Sequence, residues 1–569
     1  MILFDDSEWE YNFIILMTVI FIVCGIYTFI KIQRQKKQEQ QQTINNKKTT
    51  KKKTTKAKTE AVVAGPSVNI TVCQIQGNQV VIGAGGNIVP SDDGNYYLFA
   101  LQPYEAGIGA RTDFCAVAPK DAGAVFATSL DLNTPASKLY CRFQVAVFKG
   151  GQFVPVSNEY YITNPEAVAT NSTGIPMGPK KGFTLDWRYA SDLKDTGAGY
   201  ASYELDISRF FVGGGTTYKY NGKTYNFNST VVAEYDAVVG MVRNNGAHLI
   251  MIIKNSWNNG ATADLIYPTG RVPGMNCYAM NTAEQAGAEK IQALMHFLAE
   301  RYSNKGHGTI HSFIIGNEVN NNQPWHFAGN MDVNQFAAVY AKEVRMCYNA
   351  IKSANANARV YINLDQRWMW EDGTPNQYGG KKVLDAFNQN IMATGNIDWG
   401  VSIHPHALPL PNAQFWNIPQ AYLGLKLVSH DENTKMIIPT NIKVLNDYML
   451  KPELLSPYGT PRHTIVSEMG FTSANAQYGT NEQIQAAAIV YAYKLTSQQP
   501  VIEAVIIHRQ IDNASEAIND GMACGIRNVD GSPKYAYNVF KFMDKGNSAY
   551  TDFALPILGA TSWADLGVQ

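Results

Sequence analysis

Cysteine is scarce in this chain, with seven in 569 residues, and that excludes a disulfide scaffold. No two cysteines stand in a C-x-x-C spacing, so no zinc motif is signalled. Neither sign of charge is in excess. The 47 Lys+Arg against 47 Asp+Glu argue against a nucleic-acid-binding protein, which carries a basic surplus. No G-x-G-x-x-G follows any apolar run, and Gly213-Gly214-Gly215 lies in a polar loop, so no dinucleotide site is indicated. No cofactor motif is present. What the chain does have is 45% hydrophobic and 11% aromatic residues, enough for a sizeable core and too much for a disordered chain. Its length allows about three domains, with a large barrel counted as one.

The zero net charge is a sum of unlike parts. Residues 1–12 form a short tail with four acids. Lys31 to Pro66 carries eleven Lys/Arg and two acids, a local charge of +9. The remainder holds 36 bases and 41 acids, a charge of −5.

Phe13 to Ile30 is an uncharged run, FIILMTVIFIVCGIYTFI. At about 1.5 Å per residue it nearly spans a hydrocarbon core of about 30 Å. Trp9, Tyr11 and Tyr27 lie near its ends, where amphipathic rings prefer the headgroup level. A cleaved signal peptide has a basic start and a small-residue cleavage site, and neither is here. The expectation is a transmembrane helix over 13–32, followed by a Lys/Thr/Gln-rich tether over 33–66. A membrane-anchored, single-pass protein follows. The lysines place the bulk of the chain in the cytoplasm by the positive-inside rule. The function argued below places it on the other side.

Residues 67–165 read as short alternating strands between Gly, Asn, Asp and Pro turns, among them VNITVCQI, YYLFALQPY and YCRFQVAVF. They predict a small all-β sandwich that serves as a spacer or binds glycan. From 174 to 546 apolar runs alternate with amphipathic stretches. The predicted strands are 182–187, 201–207, 248–253, 310–316, 359–364, 399–404, 464–468 and 503–508. Phe336, Val339, Tyr340, Val344, Cys347 and Ile351 make one apolar helical stripe. Ile291, Leu294, Phe297 and Leu298 make a second, and Ile484, Ala488, Tyr491 and Leu495 a third. Eight such units give an α/β fold, a (β/α)8 barrel, with an open doubly wound sheet as the alternative. A C-terminal tail occupies 547–569.

In a barrel the strand C-termini carry the chemistry. Here they present Asp186, Trp187 and Arg188; Lys254, Asn255 and Trp257; Asn317 and Glu318; Asp365, Gln366 and Arg367; His404 and His406; Glu468; and His508, Arg509 and Asp512. Glu318 and Glu468 end buried strands 4 and 7, where an ionised carboxylate is costly unless bonded or working. A pairing with Arg509 or another cation is the plain alternative. Facing each other at about 5–5.5 Å, they suit retaining glycoside hydrolysis. Glu318 is the acid/base, its proton held by the nearby charge of Glu468, and Glu468 is the nucleophile. Asn317, His404, His406, His508, Arg509, Asp365 and Asp186 are candidate sugar contacts. Trp257, Trp325 and Trp368, with Trp187, Trp370 and Trp416, are candidate stacking platforms. A metal reading needs His404, His406 and a third ligand such as His508, and no metal is expected.

IIGNEVN (314–320) resembles the strand-4 acid/base motif of clan A retaining glycoside hydrolases, and IVSEMGF (465–471) their strand-7 nucleophile motif. More closely, the barrel resembles an uncharacterised bacterial family of clan-A-type domains. The matching stretches are FLAERYS (297–303), AIKSANANARVYINLDQRW (350–368), NIDWGVSIHPH (396–406), IVSEMGFTS (465–473) and AVIIHRQIDN (504–513). The resemblance implies acid/base for Glu318, nucleophile for Glu468 and a carbohydrate substrate, but no particular sugar. The strand-2 arginine of many clan A enzymes has no counterpart beyond Arg209. His406 stands where the family pattern has Tyr. A non-catalytic glycan-binding barrel and, more remotely, a metal-dependent hydrolase are the competing readings.

Overall fold

The computed structural model describes residues 68–175 and 178–568. The tail 1–12, the expected transmembrane helix 13–32 and the tether 33–66 lie outside them. Among the described residues no helix is long and apolar enough to cross a membrane.

The first hundred described residues form two antiparallel sheets. One has three strands, Val68–Gln76, Gln79–Gly86 and Gly123–Ser129. The other has five, Asn95–Leu101, Ala116–Pro119, Arg142–Lys149, Gln152–Pro155 and Tyr160–Tyr161. Strict alternation in Gly123–Ser129 buries Ala124, Phe126 and Thr128 and exposes the residues between, the half-buried pattern read from the sequence. The sheets dock on the larger part of the chain. Asn349 donates to the Leu139 carbonyl at 2.9 Å, the Tyr161 N–H donates to the Thr394 carbonyl at 2.9 Å, and the Arg345 guanidinium lies 5.3 Å from the Tyr161 ring centre.

That larger part is a closed barrel of eight parallel strands. They are β1 (Lys181–Thr184), β2 (Tyr200–Asp206), β3 (His248–Lys254), β4 (Ile310–Ile315), β5 (Arg359–Asp365), β6 (Trp399–His404), β7 (Thr464–Met469) and β8 (Ile502–Ile507). β8 pairs with β1, Ile506 opposite Gly182, and this closes the ring and rules out the open sheet. The strands fall where the apolar runs place them.

A helix follows each strand: α1 (Asp192–Thr196), α2 (Ser229–Asn244), α3 (Gln285–Arg301), α4 (Val333–Ala354), α5 (Gly380–Ala393), α6 (Lys443–Met449), α7 (Glu482–Ser497) and α8 (Tyr535–Phe542). Capping fixes where they begin. Asn228 accepts from the N–H groups of Thr230 and Val231, and Asp332 with Gln335 forms a capping box on α4. The predicted stripes of α3, α4 and α7 are buried, with Val339 and Ile484 only half-buried. Past α8 the chain does not trail away. The helix Ala554–Leu558 packs on α7, and Tyr491 donates to the Leu566 carbonyl at 3.2 Å.

Inside the barrel the chemistry changes with height. The lower layers are Tyr200, Ile250, Ile252, Ile314, Tyr361, Ile465, Ala504 and Ile506. A strand's side chains alternate, so the next inward position is two residues on. Those positions are polar: Lys254 after Ile252, Asn363 after Tyr361, Ser467 after Ile465 and His508 after Ile506. An apolar plug thus supports a polar floor at the C-terminal mouth.

Candidate active site

Glu318 leaves β4 through a tight turn. Gly316 has φ +81°, and a Cβ there would lie 2.7 Å from the His326 ring, so a larger residue is excluded. Glu318 itself has φ +44°, a conformation that costs a non-glycine residue on the order of 1–3 kcal/mol. Its backbone N–H is held by Asn363 Oδ1 from the neighbouring strand. Glu468 lies within β7, where the pairing with β8 is irregular between Val466 and Met469.

The two carboxylates meet at one imidazole. His404 Nδ1 is 2.9 Å from Glu318 Oε1 and 3.7 Å from Glu468 Oε2. The two oxygens are therefore no farther apart than the sum of these distances, short of most of the ~6.5–9.5 Å range of inverting glycosidases. Below, His404 Nε2 meets Ser467 Oγ at 2.9 Å and Asn363 Nδ2 at 3.1 Å, and Asn363 also donates to Ser402 Oγ at 2.9 Å. An amide N–H can only donate, so in the neutral ring Nε2 accepts and the proton sits on Nδ1, aimed at Glu318; in the protonated ring Nε2 donates to Ser467 Oγ, and the Asn363 amide keeps the Ser402 and Ser467 hydroxyls as acceptors. This Asn363–Ser402–Ser467 floor was not singled out from sequence. Its signal is three polar residues at inward positions of otherwise apolar strands.

The electrostatics correct one expectation. Burial pushes Glu318 up, but the hydrogen bond and positive charge of His404 outweigh it, and its carboxyl lies below its ordinary value. The repulsion from Glu468 is a smaller effect. Burial likewise pushes Glu468 up, yet His404, His508 and Lys254 bring it down to about 2. Burial pushes His404 down, and Glu468 and Glu318 more than restore it, so the ring is raised above its ordinary value. The pull of His404 on Glu318 runs against the expectation that the charge of Glu468 raises it. Lys254, paired with Glu204, and Glu516, 3.8 Å from His508 Nε2, are further charged neighbours that the sequence reading gave no role.

The other predicted contacts divide. Asn317 is buried with Oδ1 unpartnered, an acceptor available to a sugar hydroxyl. His406 Nε2 is 4.0 Å from Glu318 Oε1; burial and the His404 charge push its ring down to about 4, so it is neutral. His508 Nδ1 is 3.6 Å from Glu468 Oε2. Arg509 pairs with Glu516 at 2.9 Å. Asp186 accepts from both the backbone and the guanidinium of Arg188 and borders a cleft beside the mouth. Trp257 is half-buried against Tyr278, and Trp325 is half-buried in the one-turn helix Asn322–Trp325.

Two predictions fail. Trp368 is fully buried, edge-on to Tyr448, with its indole N–H on the Glu432 carbonyl, so it offers no face to a sugar. Asp365 is buried and spent on Asn320, Asn321 and the Arg367 N–H, tying the loop after β4 to β5. Burial and the charge of Glu318 raise it to about 6. The ring of six tryptophans is not formed either. Trp370 and Trp416 pack on apolar neighbours, and Trp187 is exposed.

One ligand atom each from Glu318, His404 and His406 lies within 4.8 Å of the others, a donor set of the kind divalent cations use. The third member is Glu318 rather than His508. Both nitrogens of His404 are already engaged in hydrogen bonds.

A closed (β/α)8 barrel with two glutamates and a shared imidazole at its C-terminal mouth defines the class of architecture. The chain belongs to a family of unknown function, DUF5722, whose model matches residues 176–566. No curated protein matches it. Solved structures similar to it include a family 39 glycoside hydrolase from Bacteroides cellulosilyticus WH2, at 14% identity over 84% of this chain and 80% of that one, TM-score 0.43. A glucosidase from Croceicoccus marinus matches at 14% over 66% and 69%, TM-score 0.40. A hyperthermophilic β-glucosidase from Pyrococcus furiosus matches at 11% over 65% and 88%, TM-score 0.41.

Proposed function

We propose that the protein is a retaining glycoside hydrolase acting on a poly- or oligosaccharide, with Glu468 as nucleophile and Glu318 as acid/base. What carries this reading is the placement of both carboxylates within 3.7 Å of His404 Nδ1 at the barrel mouth. Glu468, held ionised, attacks the anomeric carbon. As the ester forms its negative charge is lost, and with it the main support for the proton on His404. The protonated ring passes its Nδ1 proton along the 2.9 Å hydrogen bond to Glu318 and on to the leaving oxygen, and His404 is left neutral with its remaining proton on Nε2, toward Ser467. In the second half Glu318 takes a proton from water, the hydroxide displaces Glu468, and the restored carboxylate draws the proton back to His404. Each turnover consumes one water and returns the cluster to its starting charge.

A panel of activated aryl glycosides tests this. The expected result is turnover with retained configuration, abolished in Glu468→Ala with folding intact. Lack of turnover across the panel, with glycan binding retained in Glu468→Ala, would favour a non-catalytic glycan-binding barrel.

The location rests on sequence. The apolar run 13–32 supports a single-pass anchor, and a polysaccharide substrate supports a barrel outside the cytoplasm, against the lysines of the tether. Protease protection of the barrel in sealed vesicles decides the side. The two antiparallel sheets act in this reading as a sandwich-like spacer, because the loop at Leu139 is bonded to α4 and the strand residue Tyr161 to the residue after α5.

A further inference from the structure

At the C-terminal ends of β8, β1 and β2 lies a cleft of about 310 Å³. Its walls include Asp186, Tyr203, Glu204, Arg209, Glu234 and Arg509. Its size is near the lower end of the ~300–1,000 Å³ usual for ligand cavities.

Both flanks of this cleft lead to Glu468. On one, Glu204 pairs with Lys254, whose ammonium helps to hold Glu468 ionised. On the other, Arg509 follows His508, and His508 Nδ1 is 3.6 Å from Glu468 Oε2. The contacts of Glu318 run the opposite way, to Asn363, His404 and His406. In a double displacement the glycone stays on the nucleophile and the leaving group departs past the acid. A glycone that extends beyond the reacting ring therefore enters this cleft.

The wall also says what kind of sugar fits. Its charges are matched in pairs. Arg209 forks onto Glu234 at 3.0 and 2.6 Å, Arg188 onto Asp186 at 2.9 and 2.6 Å, and Arg509 onto Glu516 at 2.9 Å, while Lys254 holds Glu204. A uronate would face three carboxylates, Asp186, Glu204 and Glu234, against wall cations whose charge is already matched by Glu234, Glu204 and Glu516, so its own charge would go uncompensated. Neutral hydroxyls meet no such penalty. They donate to the remaining carboxylate lone pairs and accept from guanidinium N–H groups. The half-buried Tyr203 hydroxyl has no bonding partner among the described residues, and the ring stands edge-on to Tyr235 at 6.2 Å.

We infer that this cleft is a second glycone subsite for a neutral sugar unit, so that the substrate presents at least two units on the glycone side. The inference rests on the glycosidase reading. Two measurements on the full chain test it. The first compares kcat/KM for aryl glycosides of neutral monosaccharides and disaccharides. The disaccharides are expected to be faster by about tenfold, the scale of one or two net hydrogen bonds, and Asp186→Ala and Tyr203→Phe to bring the ratio toward one. Equal rates in the unaltered protein overturn the subsite and leave the glycosidase reading standing. The second is calorimetric titration with neutral disaccharides and their uronic-acid-terminated counterparts, which reads the cleft whether or not any substrate turns over. Preferred binding of the neutral sugars, weakened about tenfold in Asp186→Ala, supports the assignment. No binding, preference for the uronates, or indifference to both substitutions overturns it.

Discussion

His404 donates from Nδ1 to Glu318 Oε1 across 2.9 Å, while Glu468, the proposed nucleophile, lies 3.7 Å from the same nitrogen. In the proposed mechanism the imidazole is the store from which Glu318 draws its proton. His404→Ala should lower kcat/KM by about 10²–10⁴-fold for glycosides with poor leaving groups, the usual range for lost acid catalysis. Substrates with acidic phenol leaving groups need little protonation and should lose much less. A plot of log kcat/KM against leaving-group pKa should steepen in the variant. A uniform loss across the series would assign His404 a purely structural role.

The same cluster sets the pH dependence. Glu468 is held down to about 2, so ionisation of the nucleophile does not limit activity above pH 3 or so. The proton on His404 is held above its ordinary value by the two carboxylates. The kcat/KM profile should therefore fall on its alkaline side at a pH above 6.5, as the cluster loses that proton. A steady-state profile with one activated substrate checks this. An alkaline limb below pH 6.5 would show that the proton is not held as described.

At the opposite end of the barrel a second histidine pair acts on stability. His311 accepts from the Leu249 N–H through Nδ1 and meets His248 Nδ1 at 3.3 Å. Burial, the neighbouring His248 and the Arg359 charge push His311 down to about 3, and burial lowers His248. His311 stays neutral in the fold down to about pH 3 and takes a proton when unfolded, and the lowering of His248 acts in the same direction. Between pH 6.5 and 3 the unfolded chain binds more protons, so stability falls as the pH falls. From pH 6.5 to 5 the His311 contribution is about 2 kcal/mol. Urea midpoints at pH 7 and 5 should drop further in the natural chain than in His311→Gln. Parallel drops would remove His311 as the cause.

The barrel was legible because its strands are unbroken apolar runs that end in polar residues, as at Ile314–Ile315 before Asn317 and Glu318. The glutamate pair followed from the same strand ends. The role proposed for His404 was not legible, because Ser467 and Asn363 come from other strands and meet it only once the barrel closes. The sign of the Glu318 shift depends on that meeting. Two carboxylates alone push each other up, and a shared imidazole reverses the outcome.

Trp368 shows the opposite error, a residue whose position after β5 suggested substrate contact. Three backbone N–H groups, those of Trp368, Met369 and Trp370, converge on the Lys435 carbonyl at 2.9 to 3.1 Å and draw this segment under the loop before α6. The indole then fills the space beside Tyr448 and is sealed from solvent. Trp368→Ala should cost about 3–5 kcal/mol, as large-to-small changes of buried aromatic residues do. Trp368→Phe keeps most of the volume but leaves the Glu432 carbonyl without its donor, so the cost should be smaller. Neither substitution should change KM in the fraction that remains folded, since the ring faces the core. Denaturation midpoints paired with KM on an activated substrate separate the two roles. A raised KM with unchanged midpoints would restore Trp368 to the cleft.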